Sequence, residues 1–434
     1  MNHWLSRQAG ARLLRGGVLL AAALATAGCE LDLTDPNAPR EEEVLGSPEL
    51  VLTTAVGIQA QMAENIHIFV RAPALVTDEW GVRQRALESD RSLVTGTVDP
   101  AFGSVSDPFA AAYRIGRTAD LLMAAAPRVE LSPALQTGTI ALSKLMKAMA
   151  LGYLTTQYEQ LPLDDDTAGA APVPRDQVRD EVIAILESAR SDLGSVTDAQ
   201  LSDFNTRVLS GGLNLRNTVD AMLARYYLFD GQYQNAITAA QRVNLGVLSQ
   251  LTYPNPGVNP IQNYGFGLDY VGARRVLFTE AQAGDQRPAY WAVRTGVAGQ
   301  PDSVFNFNRY GGRNDAFPVY LPDEMRLIQA EAYTRLGQLN QARPLVNAVR
   351  TQCSSTVAEP LACMAALPVE ALDTEAELLT EILYQRRYEL FAQGVRWEDL
   401  RRLSAYTAKR PSIQFLPYPT SECQRNPNSG CFTG

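Results

Sequence analysis

The chain has 434 residues and almost no imidazole, with His3 and His67 as its two histidines. Zinc sites built from several histidines, the His-Glu-x-x-His helix and two-histidine iron centres all need more. Lysine is nearly as scarce, at three residues against 35 arginines. Cysteine occurs five times and never as a Cys-x-x-Cys pair. No stretch reaches 18 consecutive apolar residues, so no segment reads as a membrane-spanning helix. Nucleotide-binding glycine fingerprints are missing, and a net charge of −9 opposes binding to nucleic acid. What is present is 46% hydrophobic and 20% charged sequence, enough for a large core and too apolar for a disordered chain.

Arg7, Arg12 and Arg15 precede the short apolar run Gly17–Ala25, and Thr26-Ala27-Gly28 leads into Cys29. The run is too short to span a bilayer, so residues 1–28 read as an export signal. A cysteine straight after small residues resembles a bacterial lipoprotein signal, in which that cysteine carries the lipid. Thr26 stands where leucine is commoner, and an ordinary signal with an incidental Cys29 is the alternative. Two or more acyl chains would hold the protein on a membrane stably. Cleavage removes three arginines and no acid, moving the net charge from −9 to −12. It also leaves His67 as the lone imidazole, at the end of a helical stretch, where a packed or solvated histidine is expected rather than a triad member. For an exported chain the four remaining cysteines should be oxidised. Of three possible pairings, Cys353–Cys363 with Cys423–Cys431 closes the shortest loops and is preferred over a four-cysteine metal site.

Residues 29–46 are acidic and proline-punctuated, a tether rather than a folded element. Helical patterns then cover about 47–69, 107–126, 133–160, 174–193, 215–229, 232–244, 323–336, 338–350, 374–392 and 395–403. Pro48, Pro108, Pro133 and Pro322 mark starts. Alternating strands are scarce, so the class is mainly α. Shifting residues 224–243 by 106 superimposes Ala224 on Ala330, Tyr227 on Tyr333, Gly231 on Gly337, Gln232 on Gln338, Ala236 on Ala342 and Val243 on Val349. Each copy reads as helix, glycine turn, helix, with the small residues and tyrosine of a tetratricopeptide unit. A degenerate third pair falls in 136–160 with 174–193. Units so far apart in sequence are not expected to form a continuous solenoid. The folded part, 47–434, divides into a helical stretch 47–250, an insertion 251–320 and a second helical stretch 321–434. Between Tyr253 and Tyr320 lie 12 aromatics, nine glycines, six prolines and no lysine. The insertion therefore reads as a loop-rich, aromatic-rich subdomain.

Tyr384-Gln385-Arg386-Arg387-Tyr388-Glu389-Leu390-Phe391-Ala392-Gln393-Gly394-Val395-Arg396-Trp397-Glu398-Asp399-Leu400-Arg401-Arg402 resembles the C-terminal motif of the SusD/RagB outer-membrane nutrient-binding lipoproteins. Gln385 and Gln393 replace the usual glutamates, and Val395 a common histidine. Met325–Tyr333 is similar to the family's Leu-Ile-x-Ala-Glu-Ala-Tyr helix, and Ala148–Leu154 with Leu161-Pro162-Leu163 to its earlier helix and turn. The resemblance implies a scaffold of four tetratricopeptide-like pairs and a surface lipoprotein. Such a protein lids a TonB-dependent transporter of the SusC type and captures glycans or other nutrients. The acids and guanidiniums of the motif (Arg386, Arg387, Glu389, Arg396, Asp399, Arg401) are read as ion pairs pinning helices, with Gly394 between them and Trp397 packed inside.

Sugars offer apolar ring faces and hydroxyl edges, so a binder needs exposed aromatics beside polar groups. In the family the loop after the first helix helps build the ligand face, which makes Trp80 with Arg83 the first choice. Trp80 closing the first helix is the alternative. Trp291 is as consistent with core as with platform, and Asn263, Tyr264, Tyr270 and Tyr310 are further candidates. Asp164-Asp165-Asp166 lacks the calcium-loop spacing and reads as a solvated acidic turn. Adjacent Asp78 and Glu79 make a poor pair for glycoside hydrolysis. No catalytic residue, metal or cofactor is assigned. The leading reading is a non-catalytic nutrient receptor. A protein-interaction scaffold and a helical-toroid glycosidase are the alternatives.

Overall fold

A computed structural model describes residues 45–163, 169–293, 304–403 and 413–431. The signal, Cys29, nearly all of the acidic tether and the Asp164-Asp165-Asp166 run lie outside the described residues. Helix α1 (Pro48–Val76) opens with the Ser47 hydroxyl accepting from the Leu50 N–H and with proline in its first turn. It is followed by β1 (Trp80–Val82), α2 (Glu88–Thr95), α3 (Gly103–Ala125) and α4 (Pro133–Thr155). After the β2 (Gln160–Leu161) and β3 (Val173–Pro174) pair come α5 (Arg175–Gly194), α6 (Leu215–Phe229) and α7 (Tyr233–Arg242). The insertion contributes β4 (Gln250–Leu251), β5 (Val271–Arg274), β6 (Ala292–Val293), β7 (Val304–Phe307) and β8 (Phe317–Pro318). The chain then returns to helices as α8 (Pro322–Arg335), α9 (Leu339–Thr351), α10 (Glu375–Glu389) and α11 (Arg396–Arg402). No described helix is long and apolar enough to cross a membrane.

Three local expectations need correction. Helix α3 begins at Gly103, about a turn before Pro108, which sits inside it where only one ladder bond is lost. Helix α1 likewise runs past Pro73. The stretch around Trp80, read from sequence as the loop after the first helix, holds β1 and α2, because Trp80, Gly81 and Val82 pair with Ala273, Gly272 and Val271 across an antiparallel ladder. That ladder extends to a four-stranded sheet in the order β1-β5-β7-β6.

The internal repeat is visible in detail. Gly231 and Gly337 turn each pair with φ of 74° and 71°, a left-handed backbone that favours glycine. In each copy the next glutamine N–H closes the turn at 2.8 Å, Gln232 onto Tyr227 O and Gln338 onto Tyr333 O. Ala224, Ala236, Ala330 and Ala342 are fully buried where the helices cross. Each repeat tyrosine reaches the preceding unit. Tyr227 donates to Glu187 on α5 at 2.8 Å, and Gln241 on α7 donates to the Tyr333 hydroxyl at 3.3 Å. Helix α4 packs on α5, α5 on α6, α7 on α8, and α8 on α10. The array is therefore continuous, contrary to the expectation from sequence separation. The reason lies in β4 and β8, where Gln250 pairs with Pro318 and Leu251 with Phe317, so the insertion leaves and returns at one place. Disulfides join Cys353 to Cys363 and Cys423 to Cys431, with Cα separations of 4.5 and 5.5 Å.

Candidate functional site

Asn259 accepts from the N–H groups of Ile261 and Gln262, and starts a tight turn that runs from Asn263 to Tyr270 beside the sheet. Two buried anchors hold this loop. The Tyr264 hydroxyl donates to Asp90 Oδ2 at 2.5 Å and accepts from Arg71 Nη1 at 3.2 Å. Arg83 donates to Asp269 Oδ1 at 2.8 Å and Asn306 Oδ1 at 2.5 Å, while its N–H bonds Tyr270 O. Asp269 takes a left-handed φ of 58°, which turns the chain between Leu268 and Tyr270. Outside the anchors the loop presents Asn263 and Phe266, the latter 37% exposed. Tyr270 is half-buried, with its ring at 85° to Tyr264 and centroids 5.3 Å apart.

The structure overturns the platform reading of four candidates. Trp80, Trp291 and Tyr310 are fully buried, and Tyr264 nearly so. Trp80 sits on β1 against Phe307, 5.2 Å between centroids. The Trp291 indole donates to Tyr388 O at 2.7 Å, and Tyr310 stacks on Phe317. These rings lie in the core beneath the surface loop and offer no face to a ligand. Arg83 is also buried, so it positions the loop instead of meeting a sugar edge. Asn263 and Tyr270 do reach the surface. Phe266, one of the 12 aromatics of the insertion and absent from the sequence-based candidates, reaches it as well. Its flanking Gly265 and Gly267 are the sequence signal of a tight turn there, and in the structure a Cβ at Gly267 would come within 2.3 Å of Asn263 Oδ1.

Asp78 and Glu79 face different surroundings. Asp78 is exposed and paired with Arg274 at 3.4 Å, whereas Glu79 is buried and accepts from the Ala392 N–H at 3.3 Å. They do not oppose each other across a pocket, which the glycosidase alternative requires. Burial pushes the Glu79 carboxyl up to about 7, against the pull of Arg396. Glu79 thus holds a proton more readily in the folded chain. Its contribution to stability is complete below the unfolded value of 4.5 and is lost as pH rises through 7. Glu79→Gln should remove this loss, so between pH 5 and pH 8 the variant's unfolding free energy should fall by up to about 3 kcal/mol less than that of the parent. Urea titrations at both pH values measure it, and parallel pH profiles would contradict it. His67 packs 5.6 Å from the Tyr264 ring, and burial with nearby Arg71 lowers it to about 4, so it is neutral near pH 7.

The C-terminal motif is a buried charge hub joining more than two helices. Asp399 accepts from Arg386 Nε and Arg402 Nη2, each at 2.7 Å, and Arg402 also grips Glu331 of α8. Glu398 accepts from Arg175 of α5 at 2.7 Å and from Arg401. Burial would raise both acids, but the surrounding guanidiniums outweigh it and hold them below the usual carboxylate range. Trp397 is buried with the Arg401 guanidinium 5.3 Å from its ring centroid. Arg387 pairs with Glu280, and Arg396 lies in the field of Glu79 and Arg387. Gly394 turns the chain with φ of 75°.

Two larger surface cavities also occur. One of 610 Å³ is lined by residues between Asp198 and Arg216. The other, of 520 Å³, lies between Tyr158, Gln160, Phe415 and Tyr418. Its aromatics are already engaged, Phe415 under Arg401 at 4.1 Å and Tyr418 edge-on to Phe109.

Residues 259–414 match the family model described as the SusD family. SusD-like protein P38 of Formosa agariphila is 40% identical over 80 residues, covering 18% of this chain and 15% of that protein. A SusD superfamily protein from Bacteroides thetaiotaomicron shares the fold at TM-score 0.68 and 16% identity, over 88% of this chain and 98% of that one. A laminarin-binding SusD-like protein superimposes at TM-score 0.61 and 18% identity, over 87% and 97%. Residues 259–414 thus resemble the SusD family in sequence, and the fold as a whole is the one found in SusD superfamily structures.

Proposed function

We propose that this protein is a lipid-anchored receptor of the cell surface that binds an oligosaccharide and passes it to a SusC-type TonB-dependent transporter, without cleaving it. The observation that carries this reading is an outward aromatic and amide group, Phe266, Tyr270 and Asn263, on a loop pinned from below and lying within the matched segment. An exposed ring can cover the apolar face of a sugar while the amide meets a hydroxyl edge. The solved relative that binds laminarin supports a glycan as the ligand class. Cys29 would carry the lipid, and the tether would set the distance from the membrane.

Calorimetry with laminarin and a panel of other glycans tests it. Phe266→Ala and Tyr270→Ala should each weaken binding about tenfold, a loss of roughly 1.4 kcal/mol, with circular dichroism unchanged. Trp80→Ala is not a clean probe, because it opens a cavity in the core. Absence of glycan binding, or turnover of a bound glycan, would sink the reading. Loss on Tyr418→Ala alone would move the site to the 520 Å³ cavity. Pull-down from membranes through the mature chain should recover a large β-barrel transporter.

A further inference from the structure

Away from the ligand-facing loop, three carboxylates converge from distant parts of the chain. Asp323 lies in the first turn of α8, Glu389 ends α10, and Glu359 comes from the loop that follows α9. One oxygen from each lies within 4.8 Å of the other two. Their exposures are 1%, 1% and 5%. Asp323 Oδ2, Glu359 Oε2 and both oxygens of Glu389 accept no hydrogen bond.

The remaining oxygens are well occupied. Arg326 donates to Asp323 Oδ1, and Gln352, at 2.7 Å, and Ser355 donate to Glu359 Oε1. Arg287 approaches Glu389 no closer than 3.6 Å, because its fork is committed to Asp285 at 2.7 and 3.0 Å. Were all four carboxylates ionised, the two guanidiniums would leave two negative charges in surroundings where unneutralised charge is strongly unfavourable, so protons or a cation must offset them.

We infer that Asp323, Glu359 and Glu389 form a binding site for a hard divalent cation of calcium's size. The donors are all carboxylate oxygens, which excludes the softer metals that prefer sulfur or imidazole. Calcium bonds oxygen at about 2.3–2.6 Å, so oxygens across the ion stand up to about 5 Å apart, while magnesium draws them to about 4 Å. Oxygens within 4.8 Å of one another admit either ion, and calcium is favoured because magnesium demands near-ideal octahedral geometry and keeps several waters, which suits a buried all-carboxylate cluster poorly. The third ligand is held ready by covalent structure. The Cys353–Cys363 disulfide closes the Glu359 loop, and the N–H groups of Cys363 and Met364 bond Gln352 O and Arg350 O at 3.1 and 2.9 Å. A bound ion would join the start of α8, the end of α10 and this loop at one point. Burial and the neighbouring acids push Glu359 up to about 7 and Glu389 well above the carboxylate range, so the ion would displace protons on binding.

The test uses the full mature chain, stripped with chelator and titrated with calcium chloride at neutral pH by calorimetry, alongside thermal unfolding with and without the ion. One calcium per chain and a raised midpoint are expected. Glu359→Gln and Asp323→Asn should each weaken calcium binding by at least about tenfold with unchanged circular dichroism. If one variant fails to fold, the other carries the comparison. No calcium uptake by the parent at millimolar concentration would overturn the inference, as would parental affinity in a folded variant. Tighter binding of magnesium would overturn the assignment to calcium.

Discussion

Glu324→Gln is expected to destabilise the fold by about 3–5 kcal/mol, the range for removing one partner of a buried ion pair. Glu324 is fully buried near the start of α8 and receives Arg225 of α6 through two parallel bonds, Nε–Oε1 at 2.6 Å and Nη2–Oε2 at 2.7 Å. The same guanidinium donates to Val319 O at 3.1 Å. The pair therefore ties the first repeat copy to the second, and to the strand that returns from the insertion. Neutralising the acid leaves a guanidinium that water cannot reach. The double replacement Arg225→Met with Glu324→Leu should cost less than either single change, because it removes both charges from the interior. Urea denaturation of the parent, Arg225→Met, Glu324→Leu and the double replacement forms the cycle, and additive losses would show that the two side chains act independently.

Asp399→Ala should cost a similar amount, about 3–5 kcal/mol, for a related reason. It would take from the buried Arg386 guanidinium the carboxylate that accepts its Nε–H, and leave Arg402 paired with Glu331. The parent should also resist mild acid. Its Asp399 carboxyl titrates below 3.8 when folded, so this contribution is present above that value and disappears only as pH falls through the lower folded one. In the variant the stability difference from the parent should be constant from pH 5 to pH 7 and should shrink below pH 4. A difference that vanishes already at pH 5 would show that the hub is not held by this charge.

The helices were readable because they are signalled locally. Ser47-Pro48, Ser132-Pro133 and the Thr374–Glu377 capping box each start a helix where the backbone needs such a partner. The glycine turns at 231 and 337 disclosed the repeat for the same reason. The roles of Trp80 and Arg83 were not local. Whether Trp80 faces solvent depends on strand partners nearly 200 residues away, Val271 to Ala273, and three residues of β1 are too few for an alternating pattern. Arg83 looked like an edge for a ligand because Asp269 and Asn306, which absorb its charge, are equally remote. The convergence of Asp323, Glu359 and Glu389 was hidden likewise, since no spacing rule links three acids on separate elements. Lone aromatics in a loop-rich segment do not declare which side of the backbone they occupy, and here most of them form the floor.

The β4–β8 clasp has a consequence for how such a protein can change. Because residues 250–251 and 317–318 lie side by side, the chain between them hangs from the helical array like a cartridge from a socket. Length in its exposed turns can vary at little cost in loop-closure entropy, which grows only with the logarithm of loop length, while Tyr264, Glu280 and Trp291 stay tied to α1, α2 and α10. The α7–α8 contact that continues the array would feel none of it. The exposed turns of a recognition surface could then be exchanged between relatives, provided that β1 keeps its strand partner and these anchors are retained.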